Sequence, residues 1–572
     1  MKKYINRNFF WADLFIEQLS KLGIKHVCIS PGSRNTPLTL AFAQNKKFKK
    51  FIHVDERSSG FFALGIAKRI KKPVVLLTTS GTAVAELYPS IIEAYNQRIP
   101  LIVCTADRPA YLRETGANQT INQNNIFKNH IREFWDFGLP NLNKKNLMSL
   151  VNKTNVLCET SIFFNPGPIH FNFPFKKPLE PTTFSDKISF QLNDFKYIPK
   201  LSVRKKNDNN LPKLITKLKN VSRPLIHLGW GIYNKNMYSS ILELCKKSYI
   251  PILVDGTSDL RFINKNNKII ITNHSSFINH IAEEPDLIIQ FGNAPTSQQM
   301  LKYLEHTNAS KFLINEHGDV KDPSRNKGML VHASSNFLIE QLIKNDIGLS
   351  EWKKWSGYII SKDRICEKEK LVIDKSNFIA EPKIINEFLD IIPNNSNIFI
   401  SNSLPIRDFD FFASKRKKNF KIFVNRGASG IDGIISTASG IAIESKNPTF
   451  LLIGDLSFYH NLSALSTLKE LNIPIKILLA NNNGGGIFNM LQVKESKEHF
   501  KEYFTTPQDL NFSKIVKAFG GKYANPKSWK NFRKYLKQFI EDPTFSVIEL
   551  KTNAEKSREL RKKYWERLST II

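Results

Sequence analysis

Three times along the chain, short apolar runs end in Gly, Ser or Asp and give way to an amphipathic stretch. The first third carries "HVCISPG", "PVVLLTTSG" and "PLIVCTADRP", the middle "RPLIHLGWG", "IPILVDGTS" and "DLIIQFGNAP", and the last part "NIFISNS", "TFLLIGDLSF" and "IKILLANNNGG". A run that is apolar throughout, without alternation, suits a strand covered on both faces, and strands of that kind followed by helical periodicity build a parallel sheet from βα units. At 572 residues the chain exceeds what one hydrophobic core supports. The expected fold class is α/β, with three doubly wound parallel-sheet domains over 1–185, 205–365 and 380–572. The polar segment "RKKNDNNLPK" reads as one linker and the stretch around Glu369 to Pro382 as the other.

Composition narrows the function classes. With 41% apolar and 23% charged residues the chain is globular in type, and no apolar run approaches the roughly twenty residues of a membrane span. The amino-terminal "MKKYINRNFFWADLFIEQLSKLGI" lacks the continuous apolar core of a signal peptide, so a soluble, cytoplasmic protein is expected. Five cysteines, far apart and without a Cys-x-x-Cys pair, read as reduced and structural. The formal charge of +32 comes from Lys spread along the chain, not from clustered Lys/Arg with interleaved aromatics, so a nucleic-acid partner is not expected. Spread positive charge does favour small anionic substrates.

Ligands of open parallel sheets sit beyond the carboxyl ends of the strands. A polar residue there ordinarily caps the next helix, so one alone decides nothing. The pair "GDLSF" and "ANNNGG" asks for more: Asp455 and the amide oxygen of Asn482, at neighbouring strand ends, offer the hard oxygen ligands that Mg²⁺ takes alongside a diphosphate, with the Gly484 carbonyl as a third. Between them "NLSALSTLKELN" is expected as a crossover helix whose amino end faces the anion. Glu56, in "VDERSSGFFALGIAK", is either an ion-paired helix-start carboxylate or one whose pKa partial burial raises for proton sharing. "HLGWGIYN" suggests a nicotinamide fingerprint but lacks its third glycine and a ribose-binding acid, and no zinc-hydrolase pattern is present.

The Gly-Asp then Asn-Asn arrangement resembles the metal-diphosphate motif of thiamine-diphosphate enzymes. Taken with "SPGSRNTPLTLA", "TSGTAVAELYPSIIEA", "TADRP", "GANQTI", "NSLPIRD", "NRGASGIDGIISTASGIA" and "NNNGGGIFNML", the chain from about Phe10 onward is similar to one branch, the 2-succinyl-5-enolpyruvyl-6-hydroxy-3-cyclohexene-1-carboxylate synthases of menaquinone biosynthesis. The resemblance implies a pyrimidine domain, a central domain and a diphosphate domain, and decarboxylation of 2-oxoglutarate with transfer of the succinyl unit to isochorismate. Thiamine diphosphate and Mg²⁺, with Mn²⁺ as a substitute, are the implied cofactors.

Glu56 matches the glutamate that activates the pyrimidine, and Asp455, Asn482 and Gly484 match the metal ligands. Ile431 matches the residue that props the cofactor in its bent form, while Gly454, Leu456, Ser457 and Phe488 fall at cofactor-lining positions. Both substrates are dicarboxylates, which guanidinium groups bind in bidentate fashion. Arg407, Arg426 and Ser403 match the oxoacid side, and Ser33, Arg34, Arg108, Asn118 and Gln119 the isochorismate side. Each arginine taken singly reads equally as a surface ion-pair partner. Where the family offers a lysine from its central domain, this chain has Gln298 and Gln299, a departure that bears on isochorismate binding. The resemblance also implies a homodimer or homotetramer, with sites shared between subunits. The rival within the superfamily is a 2-oxoacid decarboxylase or an acetolactate-synthase-like ligase.

Overall fold

The computed structural model describes residues 6–182, 186–197, 210–231, 235–262, 267–345 and 352–571, so 204–209 of the expected first linker lie outside the described residues. Three six-stranded sheets account for the three repeats of βα texture, and every strand pairing is parallel.

The first sheet contains β1 (His26–Ile29), β2 (Lys49–Ile52), β3 (Val74–Thr78), β4 (Leu101–Asp107), β5 (Phe134–Asp136) and β6 (Ile169–Pro174), in the order β2-β1-β3-β4-β6-β5. β3 and β4 are buried along their whole length, as unbroken apolar runs require. The Arg7–Lys21 helix covers one face. Asn6 caps it by accepting from the Phe9 amide, and Phe15 packs edge-on against Phe171 and Phe173 at ring separations of 5.4 and 4.9 Å. Burying a Phe of this kind contributes roughly 1.5–3 kcal/mol.

The second sheet contains β7 (Pro224–Leu228), β8 (Ile252–Val254), β9 (Ile270–Ile271), β10 (Leu287–Phe291), β11 (Ser310–Ile314) and β12 (Met329–Val331), in the order β12-β11-β10-β7-β8-β9. The third contains β13 (Asn397–Ile400), β14 (Lys421–Phe423), β15 (Thr449–Gly454), β16 (Lys476–Asn481), β17 (Lys522–Ala524) and β18 (Ser546–Lys551). Its order, β14-β13-β15-β16-β18-β17, repeats that of the first sheet.

The chain gathers into two compact units. One consists of Met1–Ser202, Asn425–Lys446 and Tyr459–Ile475; the other of Val203–Val424, Asn447–Phe458 and Lys476–Ile572. The two late segments join the first unit because glycines let backbones meet. A Cβ on Gly65, in the Glu56–Ile70 helix, would stand 2.1 Å from the Thr437 carbonyl, and one on Gly440, in the Ile434–Ile443 helix, 2.1 Å from that of Phe62.

The stretch from Glu369 to Pro382, expected as a linker, runs between β12 and β13 and is helical at 369, 371–374 and 381–382. Leu371–Asp374 is a helical turn, Ile373 and Ala380 are fully buried, and the Lys370 ammonium donates to Glu367 at 3.0 Å. Its polar residues read as solvent-facing in sequence, yet they are satisfied inside the second unit.

Candidate functional site

In the first and third sheets the strand order reverses between β1 and β3 and between β13 and β15; Ser33, Ser403 and Asp455 follow β1, β13 and β15, while Glu56, Arg108 and Asn482 follow β2, β4 and β16. In the second unit β15 and β16 are neighbours, with Gly454 opposite Ala480, so Asp455 and Asn482 leave adjacent strand ends. Asp455 opens a helix over Asp455–His460; its Oδ1 accepts from the Leu456 amide at 2.9 Å and its Oδ2 from the Gly484 amide at 2.7 Å. Burial, opposed by these two amides and reinforced by the charge of Glu381, pushes the Asp455 carboxyl up to about 6. A divalent cation against it would restore the ionised form.

Gly484 has φ +139°, and a Cβ there would lie 2.1 Å from the Thr505 carbonyl, so the turn admits only glycine. Its carbonyl accepts from the Gly486 amide at 2.9 Å, with a second lone pair remaining. The Asn482 amide is the most informative group: Nδ2 donates to Glu381 Oε1 at 2.5 Å, while Oδ1 is buried with no hydrogen-bond partner. An orphaned amide oxygen beside a buried carboxylate is what a hard cation would satisfy, and the set fits Mg²⁺. Among the described residues no group of three or more His, Cys, Asp or Glu side chains is placed to hold a metal, so the centre depends on amide and carbonyl oxygens.

A cavity of about 290 Å³ adjoins Asp455, lined also by Asn481, Gln508, Lys551 and Thr552. Ser457 is buried, its Oγ accepting from Ser401 Oγ at 3.3 Å, while Gly454 and Leu456 are half-buried. Phe488 lies in the Gly486–Met490 turn, edge-on to Phe504 at 5.6 Å. Ser403, at φ +72°, precedes the Leu404–Phe412 helix, and Arg407 is exposed one turn along, its Nη1 donating to the Ser403 carbonyl at 2.7 Å.

The crossover differs from the single helix expected. It is two helices, Asp455–His460 and Ala464–Glu470, and the amino end lies at Asp455 itself. The break at 461–463 has its own partners in the first unit: Asn461 Nδ2 donates to the Ile431 carbonyl at 2.8 Å and Ser463 Oγ to Asp55 Oδ2 at 2.6 Å.

In the first unit Glu56 is the first residue of its helix. Asp55 caps that helix, accepting from the Ser58 amide at 3.1 Å. Burial raises the Glu56 pKa; a local backbone hydrogen bond opposes this and the charges of Asp55 and Glu86 add to it. Arg34 is buried, with Nη1 on the Phe175 carbonyl at 2.8 Å, and Arg108 Nη1 donates to Ser80 Oγ. Burial first, then the charge of Arg108, lowers the Arg34 pKa, which marks two guanidiniums close enough to repel and to receive an anion. Gln119, at φ +55°, donates to the Ser80 carbonyl at 3.2 Å, so Arg108 and Gln119 converge on one residue. Ser33 and Asn118 are exposed.

Arg426 is half-buried in a loop clamped by a residue that strand-end reading passes over. Glu93 Oε1 accepts from the Gly427 amide at 2.8 Å and Oε2 from the Ala428 amide at 2.6 Å, while Lys68 Nζ donates to Asn425 Oδ1 at 2.7 Å. The signal for Glu93 was present: a carboxylate on the same helix face as buried Ser90, Ile91 and Ala94. Ile431 is half-buried. Glu381 was missed because it fell in the supposed linker.

Gln298 and Gln299 open the Gln298–His306 helix, both exposed, with Asn279 Nδ2 reaching Gln299 Oε1 at 3.2 Å. At the reversal of the second sheet, between β7 and β10, Gly229 brings the backbone against Asn293: a Cβ there would lie 1.9 Å from the Asn293 carbonyl. No helix among the described residues is long and apolar enough to cross a membrane, and the five cysteines are all buried and free.

Two family models match the chain. The thiamine pyrophosphate enzyme N-terminal TPP binding domain matches residues 11–126 and the corresponding C-terminal TPP binding domain residues 411–550. Curated relatives named 2-succinyl-5-enolpyruvyl-6-hydroxy-3-cyclohexene-1-carboxylate synthase include one from Bacillus cytotoxicus, 36% identical over 99% of this chain and 97% of the relative. One from Bacillus velezensis is 34% identical over 94% of each, and one from Listeria innocua 33% identical over 98% and 97%. Among solved structures, benzoylformate decarboxylase from Polynucleobacter necessarius aligns with TM-score 0.70 at 14% identity, covering 95% of this chain and 98% of that one, a likeness of fold alone.

Proposed function

Because the chain belongs to the family of 2-succinyl-5-enolpyruvyl-6-hydroxy-3-cyclohexene-1-carboxylate synthases, we propose that it decarboxylates 2-oxoglutarate and adds the succinyl unit to isochorismate, releasing CO₂, in menaquinone biosynthesis. The observation that carries the reading is the Asn482 amide oxygen, buried and without a partner beside Asp455. Asp455, Asn482 Oδ1 and the Gly484 carbonyl would hold Mg²⁺, or Mn²⁺ in its place. When bound, thiamine diphosphate supplies the thiazolium carbon on which a 2-oxoacid loses CO₂.

The remaining work falls to side chains of this chain. Glu56, whose carboxyl burial shifts upward, would face the pyrimidine ring of the bound cofactor and share a proton with it. Arg34, Arg108 and Gln119, with Ser33 and Asn118, bind and orient the carboxylates of isochorismate. Arg407, Arg426 and Ser403 receive the oxoacid and its distal carboxylate, which a pyruvate enzyme has no need to bind. Ile431 would support the cofactor, and Gly454, Leu456, Ser457 and Phe488 would line it. The same reading implies a cytoplasmic homodimer or homotetramer, which sedimentation of the purified chain tests.

The deciding assay is turnover with thiamine diphosphate, Mg²⁺ and 2-oxoglutarate, with and without isochorismate, followed by mass spectrometry. Coupled product only with both substrates, abolished in Glu56→Gln, is the expected result. CO₂ release with isochorismate untouched would move the chain to the 2-oxoacid decarboxylases.

A further inference from the structure

The Asn482 amide has two chemically different ends, and something must decide which one faces the metal position. In the second unit Glu381, the first residue of the Glu381–Ile391 helix, accepts from Asn482 Nδ2 at 2.5 Å through Oε1, which also accepts from Thr552 Oγ1 at 3.1 Å. Its Oε2 accepts from Arg561 Nη2 at 2.6 Å. Arg561, on the Ala554–Ser569 helix, completes a fork on Asp408, with Nε on Oδ1 at 2.7 Å and Nη2 on Oδ2 at 2.6 Å. Glu381, Asp408 and Arg561 are only 5%, 4% and 2% exposed.

We infer that Glu381 is a positioning residue for the metal centre: its carboxylate selects the orientation of the Asn482 amide that presents Oδ1 to the cation, and Arg561 holds that carboxylate in place. An ionised carboxylate only accepts hydrogen bonds, so the amide must turn its NH₂ toward Glu381 and its oxygen away. The amide has little room to escape, because a Cβ at Gly486 would already lie 2.3 Å from Nδ2. The one guanidinium is shared by both buried carboxyl groups, so its fork fixes where Glu381 can turn. The inference rests on the proposed metal site.

The test is Mn²⁺ binding to the full chain in the presence of thiamine diphosphate, read from the loss of the free Mn²⁺ paramagnetic resonance signal. Glu381→Gln keeps the volume but offers Asn482 either an oxygen or an NH₂, so the apparent Kd for Mn²⁺ rises about 10- to 100-fold, the usual consequence of losing such an outer partner. Turnover at saturating metal returns to near the wild-type kcat, a rescue that general loosening would not give. Asp408→Asn cuts the same ion cluster on the far side of Arg561; it lowers the thermal midpoint but moves the Kd less than about 3-fold, as expected of a group one contact further out. Equal Mn²⁺ affinity in wild type and Glu381→Gln, or equal loss in Asp408→Asn, overturns the inference while the metal site stands. No Mn²⁺ binding by the wild type overturns the site and the inference together. If Glu381→Gln does not accumulate as folded protein, Arg561→Lys decides: it retains a cation but withdraws the fork, so a raised Mn²⁺ Kd supports the role and an unchanged one refutes it.

Discussion

Replacing Glu93 by Gln should release the Arg426 loop from the Tyr88–Gln97 helix. The Glu93 side chain is 2% exposed and bridges two consecutive amides, Gly427 at 2.8 Å and Ala428 at 2.6 Å, while Gln97 donates to the same carboxylate. Glutamine keeps one acceptor oxygen and sets an NH₂ against the other amide. The first bond loses its ionic part, about 0.5–1.5 kcal/mol, and the second is lost outright, about 1.5–3 kcal/mol. Lys68 is affected as well. Burial has already pushed its ammonium down to about 8, and the charge of Glu93 is what favours its protonated form. Together these give roughly 2–4 kcal/mol of lost local protection, or a 30- to 700-fold faster opening of the loop. Hydrogen exchange of a peptide spanning 425–430 measures this directly, and suits a chain of two units for which a single unfolding free energy is poorly defined. A rise in KM for the oxoacid should accompany it, since Arg426 sits in the released turn. Exchange within about 3-fold of wild type would refute the claim that Glu93 holds the loop.

Three other outcomes follow from the same structure. Gly440→Val places a branched side chain where the Cβ alone would stand 2.1 Å from the Phe62 carbonyl; the helices must part, and the thermal midpoint should fall with a loss of roughly 3 kcal/mol or more, whereas an unchanged midpoint would contradict the close approach. His53 is pushed by burial down to about 4, and His170, His227 and His274 to about 3. Since an unfolded histidine titrates near 6.5, the unfolded state binds more protons below that pH, and stability falls from about pH 6.5 toward 4 by about 1.4 kcal/mol per pH unit for each histidine. Unfolding calorimetry in buffers of different ionisation heat at about pH 5.5 should register about two extra protons taken up relative to pH 8, the histidine uptake being offset in part by Asp455 and Lys68, and none would contradict the burial. Asp455→Asn removes the carboxylate of the proposed metal set and should weaken Mn²⁺ binding at least about 100-fold in the presence of thiamine diphosphate; retained affinity would place the metal elsewhere.

The sheets and most strand ends were legible in the amino-acid sequence because the signals are local. An apolar run such as "VVLLT" reports burial on both faces, and the residue that follows it must emerge at the sheet's carboxyl edge, so Asp455, Asn482 and Arg108 could be found by counting along the chain. The crossover was read as one helix beginning at Asn461; the Asp455–His460 helix ahead of it was missed, and the Asn461 side chain in fact answers to the carbonyl of Ile431. The Glu369–Pro382 stretch was read as a linker from its polar residues, and polarity marks solvent only when no partner waits inside.

What no local pattern encodes is which distant group meets a buried charge. Glu93 finds its amides 334 and 335 residues away, Glu381 finds Asn482 at a separation of 101 and Arg561 at 180. Hydrophobic burial is a property of each residue and its near neighbours, so its period survives in the sequence. A hydrogen bond is a property of two atoms within about 3 Å, and only the packing of the strands and helices brings those atoms together. The strand ends proposed to carry the chemistry were therefore written in one dimension, while the partners of the buried carboxylates were decided in three.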